Sequence, residues 1–351
     1  MKRSILPIFL LAVLTVCLPM VSLLVPAAAK NQSNTAGIAN SQSSGFDLLP
    51  SELFQKNQED TAEPTAEPSE PVICVQNSTT GETLQVPVLE YMIGAVASEM
   101  PITWSDEALK AQGIAAHSYA LYQRDHADTE RFGGAWFAVD PARRQGYMTK
   151  EVLQSYWGED FEANYQHLTE LLTPLKDTIL LYDNAPAAAC YHAISNGHTE
   201  SSQVVWGEAL PYLEGVDSSV DKSAEGYEET VEYTTQQVYD MLSAPFAGID
   251  LDKDPEEWFG DCTFTAAGYV DTIEVGGIFI KGTQLRTALG LRSSCFTVSQ
   301  TEEGFAFTTK GYGHGVGLSQ CGAQAMAAQG QTYEQILSWY YPGTTLGTYT
   351  D

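Results

Sequence analysis

The sequence predicts an α+β domain built in two lobes, and three observations predict it. Residues 86–123 carry two successive helical apolar patterns joined by a short break. Residues 227–309 alternate Tyr, Thr, Val and Phe with polar residues, as half-buried strands do. Gly311, Gly313, Gly315 and Gly317 then form a tight loop that runs into further helical patterns.

Ahead of that domain, Met1-Lys2-Arg3 precedes an uncharged stretch, 4–29, rich in Leu, Val and Ile. Residues 1–30 are therefore expected to be a membrane anchor or signal segment, long enough to cross a bilayer as a helix. Residues 26–29, Pro-Ala-Ala-Ala, resemble a cleavage region, while Lys2 and Arg3 would hold the N-terminus inside the cell. Residues 31–70 are rich in Ser, Asn, Gln, Glu, Thr and Pro and repeat Thr-Ala-Glu-Pro at 61–64 and 65–68. They read as a disordered tether, with a short helix expected around 46–54. The domain proper is 71–351.

The chain has 351 residues, 44% of them apolar and 18% charged, with a net charge of −28. That balance suits a folded core, and it excludes nucleic acid as a partner, since phosphate binding needs clustered Lys and Arg. A glycan, bound by hydrogen bonds and stacking, stays within reach. Cys17 belongs to the apolar segment; Cys74, Cys190, Cys262, Cys295 and Cys321 are odd in number and widely spaced. One disulfide is allowed, but the set is no disulfide framework and most should be small buried residues.

Within the domain, 71–88 suggests one or two strands around a turn at 77–81. Leu89, Met92, Ile93, Val96 and Met100 then recur at helical spacing, so one face of that helix should be buried. Glu99 lies beside this apolar face, and Pro101 stops the helix just after it. The negative end of the helix dipole and partial burial both raise the pKa of such a carboxyl group. A carboxylic acid kept protonated near neutral pH is what a general acid requires. The same position equally suits a solvated glutamate at a mildly unfavourable helix end.

Ser105 can cap the next helix, with Asp106 and Glu107 in its first turn and Lys110 and His117 along it, to about residue 128. Residues 132–147 are loop-like, and 150–157 and 165–172 have helical character. Residues 179–182 and 188–194 are apolar enough for core strands, 195–205 is a polar turn and 206–216 a loop. The β-rich lobe, approximately 226–309, carries helices at 236–242 and near 282–289. It is read as inserted between 71–225 and 310–351. Ser319 caps the helix after the glycine loop, Gly330 ends it, and Thr332 with Gln335 forms a capping box for a last one. The glycine spacing fits neither a dinucleotide nor a P-loop fingerprint.

Three segments together resemble one family, stage II sporulation protein D and its amidase-enhancer-like relatives. They are VLEYMIGAVASEMP with EALKAQGIAA-SYAL, then YHAISNGHTESSQVVWG-ALPYL, then GYGHGVGLSQ-GAQAMAAQGQTYEQILSWYYPG. The resemblance implies a SpoIID-like catalytic domain and a peptidoglycan lytic transglycosylase. Such enzymes cut the N-acetylmuramic acid–N-acetylglucosamine bond of peptide-stripped glycan strands, leaving 1,6-anhydro ends. It implies a place in septal wall remodelling and engulfment during sporulation, at the cell membrane, with the domain outside the cytoplasm. The partners it implies are a cell-wall amidase and a membrane protein of the engulfment complex. The family's glutamate matches Glu99. Lys110, His117, Tyr212, His314, Ser319 and Gln320 are the candidates for holding substrate.

The chain departs from that pattern in places. His117 stands where relatives have Arg, and Glu214 where they commonly have a basic residue. Histidine lacks the planar bidentate fork of arginine. A second reading therefore stays open, a noncatalytic glycan binder that stimulates an amidase. Some relatives hold zinc; the aligned positions here are Phe132, Ala138, Arg143 and Arg144, so neither metal nor cofactor is expected. Cys190, His192 and His198 could offer ligands elsewhere, though ordinary strand and turn placement explains them. Cys321, seven residues after His314, allows a thiol-hydrolase reading, against which relatives often have Tyr at that position. Trp104, Trp206 and Tyr212 could stack on sugar rings or serve the core.

Overall fold

The computed structural model describes residues 71–348. The expected anchor (1–30), tether (31–70) and short helix at 46–54 lie outside the described residues. Among the described residues, no helix is long and apolar enough to cross a membrane.

The hairpin β1 (Val72–Asn77) and β2 (Thr83–Pro87) opens the domain, its turn held by the Asn77 side chain accepting from the Thr79 N–H. Helix α1 (Val88–Glu99) follows at once. Its neighbour α2 (Asp106–His126) is the longest described helix. The pattern suggested one buried face on α1, but Val88 and every residue from Tyr91 to Ala97 are buried, so the helix is enclosed on nearly all sides. The small residues Gly94, Ala95 and Ala97 fill the flanks between the large ones. Each fully buried Met, Ile or Val side chain contributes roughly 1.5–3 kcal/mol. Ser105 occupies the N-cap position of α2, but its side chain makes no capping bond.

Strand β3 (Phe137–Val139) joins β1 in parallel, completing the sheet β2-β1-β3. Helices α3 (Lys150–Trp157) and α4 (Phe161–Leu172) come next, α4 starting before residue 165 because a 3-10 turn at Gly158–Asp160 leads into it. Strand β4 (Thr178–Tyr182) pairs with β5 (Ala185–Pro186). Of the apolar run 188–194, only β6 (Tyr191–His192) is strand. Where a polar turn and loop were expected, Ser201 caps a five-residue helix, α5 (Ser202–Trp206).

The β-rich stretch begins with β7 (Glu228–Thr234) and α6 (Thr235–Ser243). It continues through β8 (Phe259–Phe264), β9 (Val270–Val275), β10 (Ile278–Lys281) and α7 (Gly282–Leu289). It closes with β11 (Phe296–Gln300) and β12 (Gly304–Lys310). The sheets β10-β9-β8 and β11-β12-β7 enclose an apolar cluster of their own that includes Val238, Trp258, Ile273, Leu285, Phe305 and Phe307.

After the glycine loop the chain returns to the helical part. Strand β13 (Leu318–Ser319) lies parallel to β6. Helices α8 (Gln320–Ala328) and α9 (Tyr333–Tyr340) follow, and β14 (Thr345–Thr348) pairs with β4. None of the five described cysteines is joined in a disulfide, and only Cys190 is buried; the other four are half-buried, contrary to the expectation that most are core residues.

Candidate functional site

Glu99 ends α1, and what surrounds it depends on a missing side chain one turn earlier. A Cβ on Gly94 would stand 2.3 Å from the Met148 carbonyl oxygen and 2.4 Å from the Tyr147 ring. Because glycine is there, the 146–148 segment lies flat against α1, and the Met148 N–H bonds to the Gly94 carbonyl at 3.1 Å. That docking aims the Gly146 N–H at Glu99 Oε1, 3.3 Å away.

The other carboxylate oxygen, Oε2, accepts from the Gln320 Nε2 at 3.1 Å. Gln320 is the first residue of α8, directly after Ser319, whose hydroxyl caps that helix by accepting from the Gly322 N–H at 3.2 Å. The same Gln320 nitrogen lies 3.4 Å from Gln112 Oε1 on α2. One loop and helix α8 thus meet the carboxyl group at the end of α1 directly, and α2 reaches it through Gln320.

Burial raises the Glu99 pKa above its ordinary value, and the Gln320 and Gly146 donors oppose it. The direction agrees with the sequence expectation, with desolvation as the dominant cause. The donors hold both oxygens in place, one on each, and each oxygen keeps a further lone pair that can take a proton. Such a group can deliver a proton to a leaving oxygen and afterwards take one back. Burial pushes the Tyr91 and Tyr191 hydroxyls away from ionisation, and the nearby Glu99 carboxylate adds to that shift.

The loop that delivers Gln320 explains its alternating glycines. Gly311, Gly313, Gly315 and Gly317 all have positive φ, between 72° and 116°. A Cβ at Gly313 would meet the His192 Cβ at 2.7 Å, and one at Gly317 the Cys190 carbonyl at 2.1 Å. The loop therefore lies backbone to backbone on the 190–194 segment, exchanging Tyr312 N–H to Ile194 O at 2.7 Å and Ile194 N–H to Tyr312 O at 3.0 Å.

The remaining sequence candidates are engaged with their own surroundings. His314, half-buried in this loop, accepts the Val316 N–H at Nδ1, 3.1 Å, and packs on Trp206 and His192. Burial holds its imidazole neutral, its pKa well below the usual value. Lys110 pairs with Glu107 at 2.7 Å and stands over the Tyr333 ring. His117 is buried, its pKa lowered to about 4 chiefly by desolvation, with Asp177 and the Thr178 backbone opposing that shift. Tyr212 is buried against Tyr182, and its hydroxyl accepts the Ala188 N–H at 2.9 Å. His192 bonds through Nδ1 to the Val316 carbonyl at 3.1 Å, and His198 through Nδ1 to the Thr199 carbonyl at 2.8 Å.

Of the candidates, then, Glu99 and Gln320 meet directly, with Ser319 beside them. Sequence reasoning did not single out Gln112 or Gly146. A polar residue in the otherwise apolar run of α2 was the available signal for Gln112. A backbone N–H leaves no side-chain signature, so only a glycine within the 132–147 loop hinted at Gly146.

Asp221, fully buried, ties the returning segments together. Its carboxylate accepts from the Ser195 N–H at 2.9 Å and from the Ser218 hydroxyl at 3.0 Å, and Ser218 meets the Tyr340 hydroxyl at 2.7 Å. Burial raises its pKa despite these donors.

Comparison with known proteins gives the chain several relatives. A family model described as SpoIID, stage II sporulation protein, matches residues 76–182. The chain is 35% identical over 288 residues to stage II sporulation protein D of Bacillus amyloliquefaciens, covering 81% of each chain. It is 35% identical over 262 residues to stage II sporulation protein D of Bacillus subtilis (strain 168), covering 74% of each. Over 316 residues it is 27% identical to the amidase enhancer of the same organism, covering 73% of this chain and 40% of that protein.

Proposed function

The chain belongs to the stage II sporulation protein D family, and on that premise we propose that it is a peptidoglycan lytic transglycosylase with Glu99 as acid and base. The observation that carries the reading is the environment of Glu99, where burial favours the protonated form while two donors fix the orientation of the group.

In the proposed reaction, Glu99 gives its proton to the glycosidic oxygen between N-acetylmuramic acid and N-acetylglucosamine. The C1–O bond breaks as oxocarbenium character develops at C1. The C6 hydroxyl of the same sugar attacks C1, and its proton passes to the Glu99 carboxylate, restoring the acid. A 1,6-anhydro ring results, no water is consumed, and one carboxyl group serves both steps. The substrate in this reading is a peptide-stripped glycan strand. The protein would act at the septal membrane through residues 1–30, beside a cell-wall amidase and a membrane protein.

Mass analysis of products from purified peptide-free glycan tests this. Anhydro ends that vanish in Glu99→Gln support it, whereas reducing ends alone would make the protein a hydrolase. A second reading, a glycan-binding stimulator of an amidase, is favoured by the 27%-identical amidase enhancer and by the buried, neutral His117. It predicts no cleavage, together with amidase stimulation that survives Glu99→Gln.

A further inference from the structure

Glu99 is braced by an amide, and that amide is itself braced. Gln320 and Gln112 are 4% and 0% exposed, so neither side chain faces solvent. A glutamine amide can present either its oxygen or its nitrogen to a carboxyl group. Gln320 turns its nitrogen to the site, and the oxygen that Gln112 turns to it, at 3.4 Å, can only accept. One N–H of Gln320 points to Gln112 and the other to Glu99, 3.1 Å away. We propose that Gln112 is a positioning residue that, acting through Gln320, sets the orientation and the proton affinity of Glu99. This inference rests on the catalytic reading of Glu99 for its effect on rate, and on geometry alone for its effect on proton affinity.

Gln112 is engaged through its oxygen and not through its nitrogen. Its Nε2 is enclosed without a hydrogen-bond partner. An enclosed donor left unpaired is unfavourable, and an apolar side chain of the same length would remove that cost. The acceptor oxygen, turned to Gln320, is what an apolar replacement could not supply. The groups facing Glu99 are few. Tyr91 on α1 and Tyr191 on β6 are phenols held neutral by burial, the 146–148 segment offers a backbone N–H, and Gln112 and Gln320 carry no charge. Over the ordinary buffer range, a shift at this site therefore reports on the brace.

The sign follows from the donor. A Gln320 N–H held on Oε2 stabilises the ionised carboxylate. Releasing Gln320 by Gln112→Met weakens that hold, so the Glu99 pKa should rise, by about one unit for loss of one well-aligned donor. The experiment is a carbon-13 carboxyl titration of Glu99 in the full-length protein, the resonance being assigned by its loss in Glu99→Gln. Gln112→Met and Gln320→Met should each move the titration upward. The double variant should move it no further than Gln320→Met alone, because Gln112 acts through Gln320. On glycan, kcat should fall about tenfold with KM unchanged. An unmoved titration in Gln112→Met, additive shifts in the double variant, or a raised KM with kcat intact would overturn the proposal. Gln112→Leu provides the same reading if the methionine variant fails to fold. A wild-type protein that cleaves nothing refutes the catalytic reading alone, since the titration still tests the brace.

Discussion

Gln320 donates to Glu99 at 3.1 Å although the two stand 221 positions apart in the chain. The carboxyl group comes from the first described helix and its partner from the segment that follows the whole β-rich stretch. No local piece of the chain can assemble this pair. The site therefore forms only when both ends of the domain have docked, and the buried clasp of Asp221, Ser218 and Tyr340 secures that docking.

Replacing Glu99 by Gln should remove cleavage, by at least about a hundredfold, while leaving the fold intact. Burial disfavours the ionised carboxylate, so at alkaline pH the variant should melt at the same temperature as the parent or higher. Product mass analysis beside a thermal melt reads both effects. A lower melting temperature would show that Glu99 is a structural requirement.

The pH profile carries the same logic. The acid must be protonated, and its pKa lies above the usual carboxylate value. Activity should therefore persist to higher pH than a solvated glutamate allows and then decline on the alkaline side. A kcat/KM profile that is flat across the neutral range would remove Glu99 from the proton-transfer step.

His117 makes stability depend on pH. Its folded pKa is about 4, against about 6.5 when unfolded, so the unfolded chain binds the extra proton between these values. Stability is full above the unfolded pKa and is lost as pH falls towards the folded one, by up to about 3 kcal/mol. Glu99 and Asp221, both raised, act in the opposite sense, so the variant and not the parent alone isolates the effect. Urea midpoints near neutrality and in mild acid should converge in His117→Gln relative to wild type. An unchanged difference would remove His117 as a cause.

Gly94→Ala should damage the site without touching it. The new methyl group meets the Met148 carbonyl and the Tyr147 ring, forcing the 146–148 segment outward. The Gly146 N–H then leaves Glu99. A loss of about 1–3 kcal/mol in stability should accompany a clear fall in cleavage. Wild-type values in both measurements would show that the segment is free to shift.

Gly322→Ala tests the clasp. Its Cβ would lie 2.0 Å from the Tyr340 hydroxyl and 2.7 Å from the Ser218 Oγ. Tyr340→Phe alone loses one hydrogen bond, about 1 kcal/mol, yet it removes the nearest obstacle. The double variant should therefore be more stable than the sum of the two changes implies, by about 1 kcal/mol or more in a denaturation cycle. Strict additivity would place the obstacle elsewhere.

Much of this arrangement was legible in the sequence, and the gaps have physical reasons. Helical apolar spacing marked α1 and put Glu99 at its end, and α7 falls at 282–289 as its pattern predicts. Ser319 caps α8 as expected of a serine before a helix. Helix α5 was missed because five residues are too few to set up a period. The apolar run 188–194 is mostly not strand because the glycine loop, and not a sheet neighbour, satisfies much of its backbone. Gln112 reads as one polar residue among apolar ones until Gln320 is seen opposite it. Such long-range pairing leaves no trace in local spacing.

The alternating glycines of the 311–317 loop give it a parity. Gly311, Gly313 and Gly317 lie against the 190–196 strip and Gly315 against the Tyr269 ring, at approaches where a Cβ would collide. Adding or deleting one residue here would exchange the two sets and drive side chains into solid backbone. It would also deliver Gln320 half a repeat out of step, turned away from the carboxyl group it serves. Changes of length in this loop can therefore be accommodated only two residues at a time.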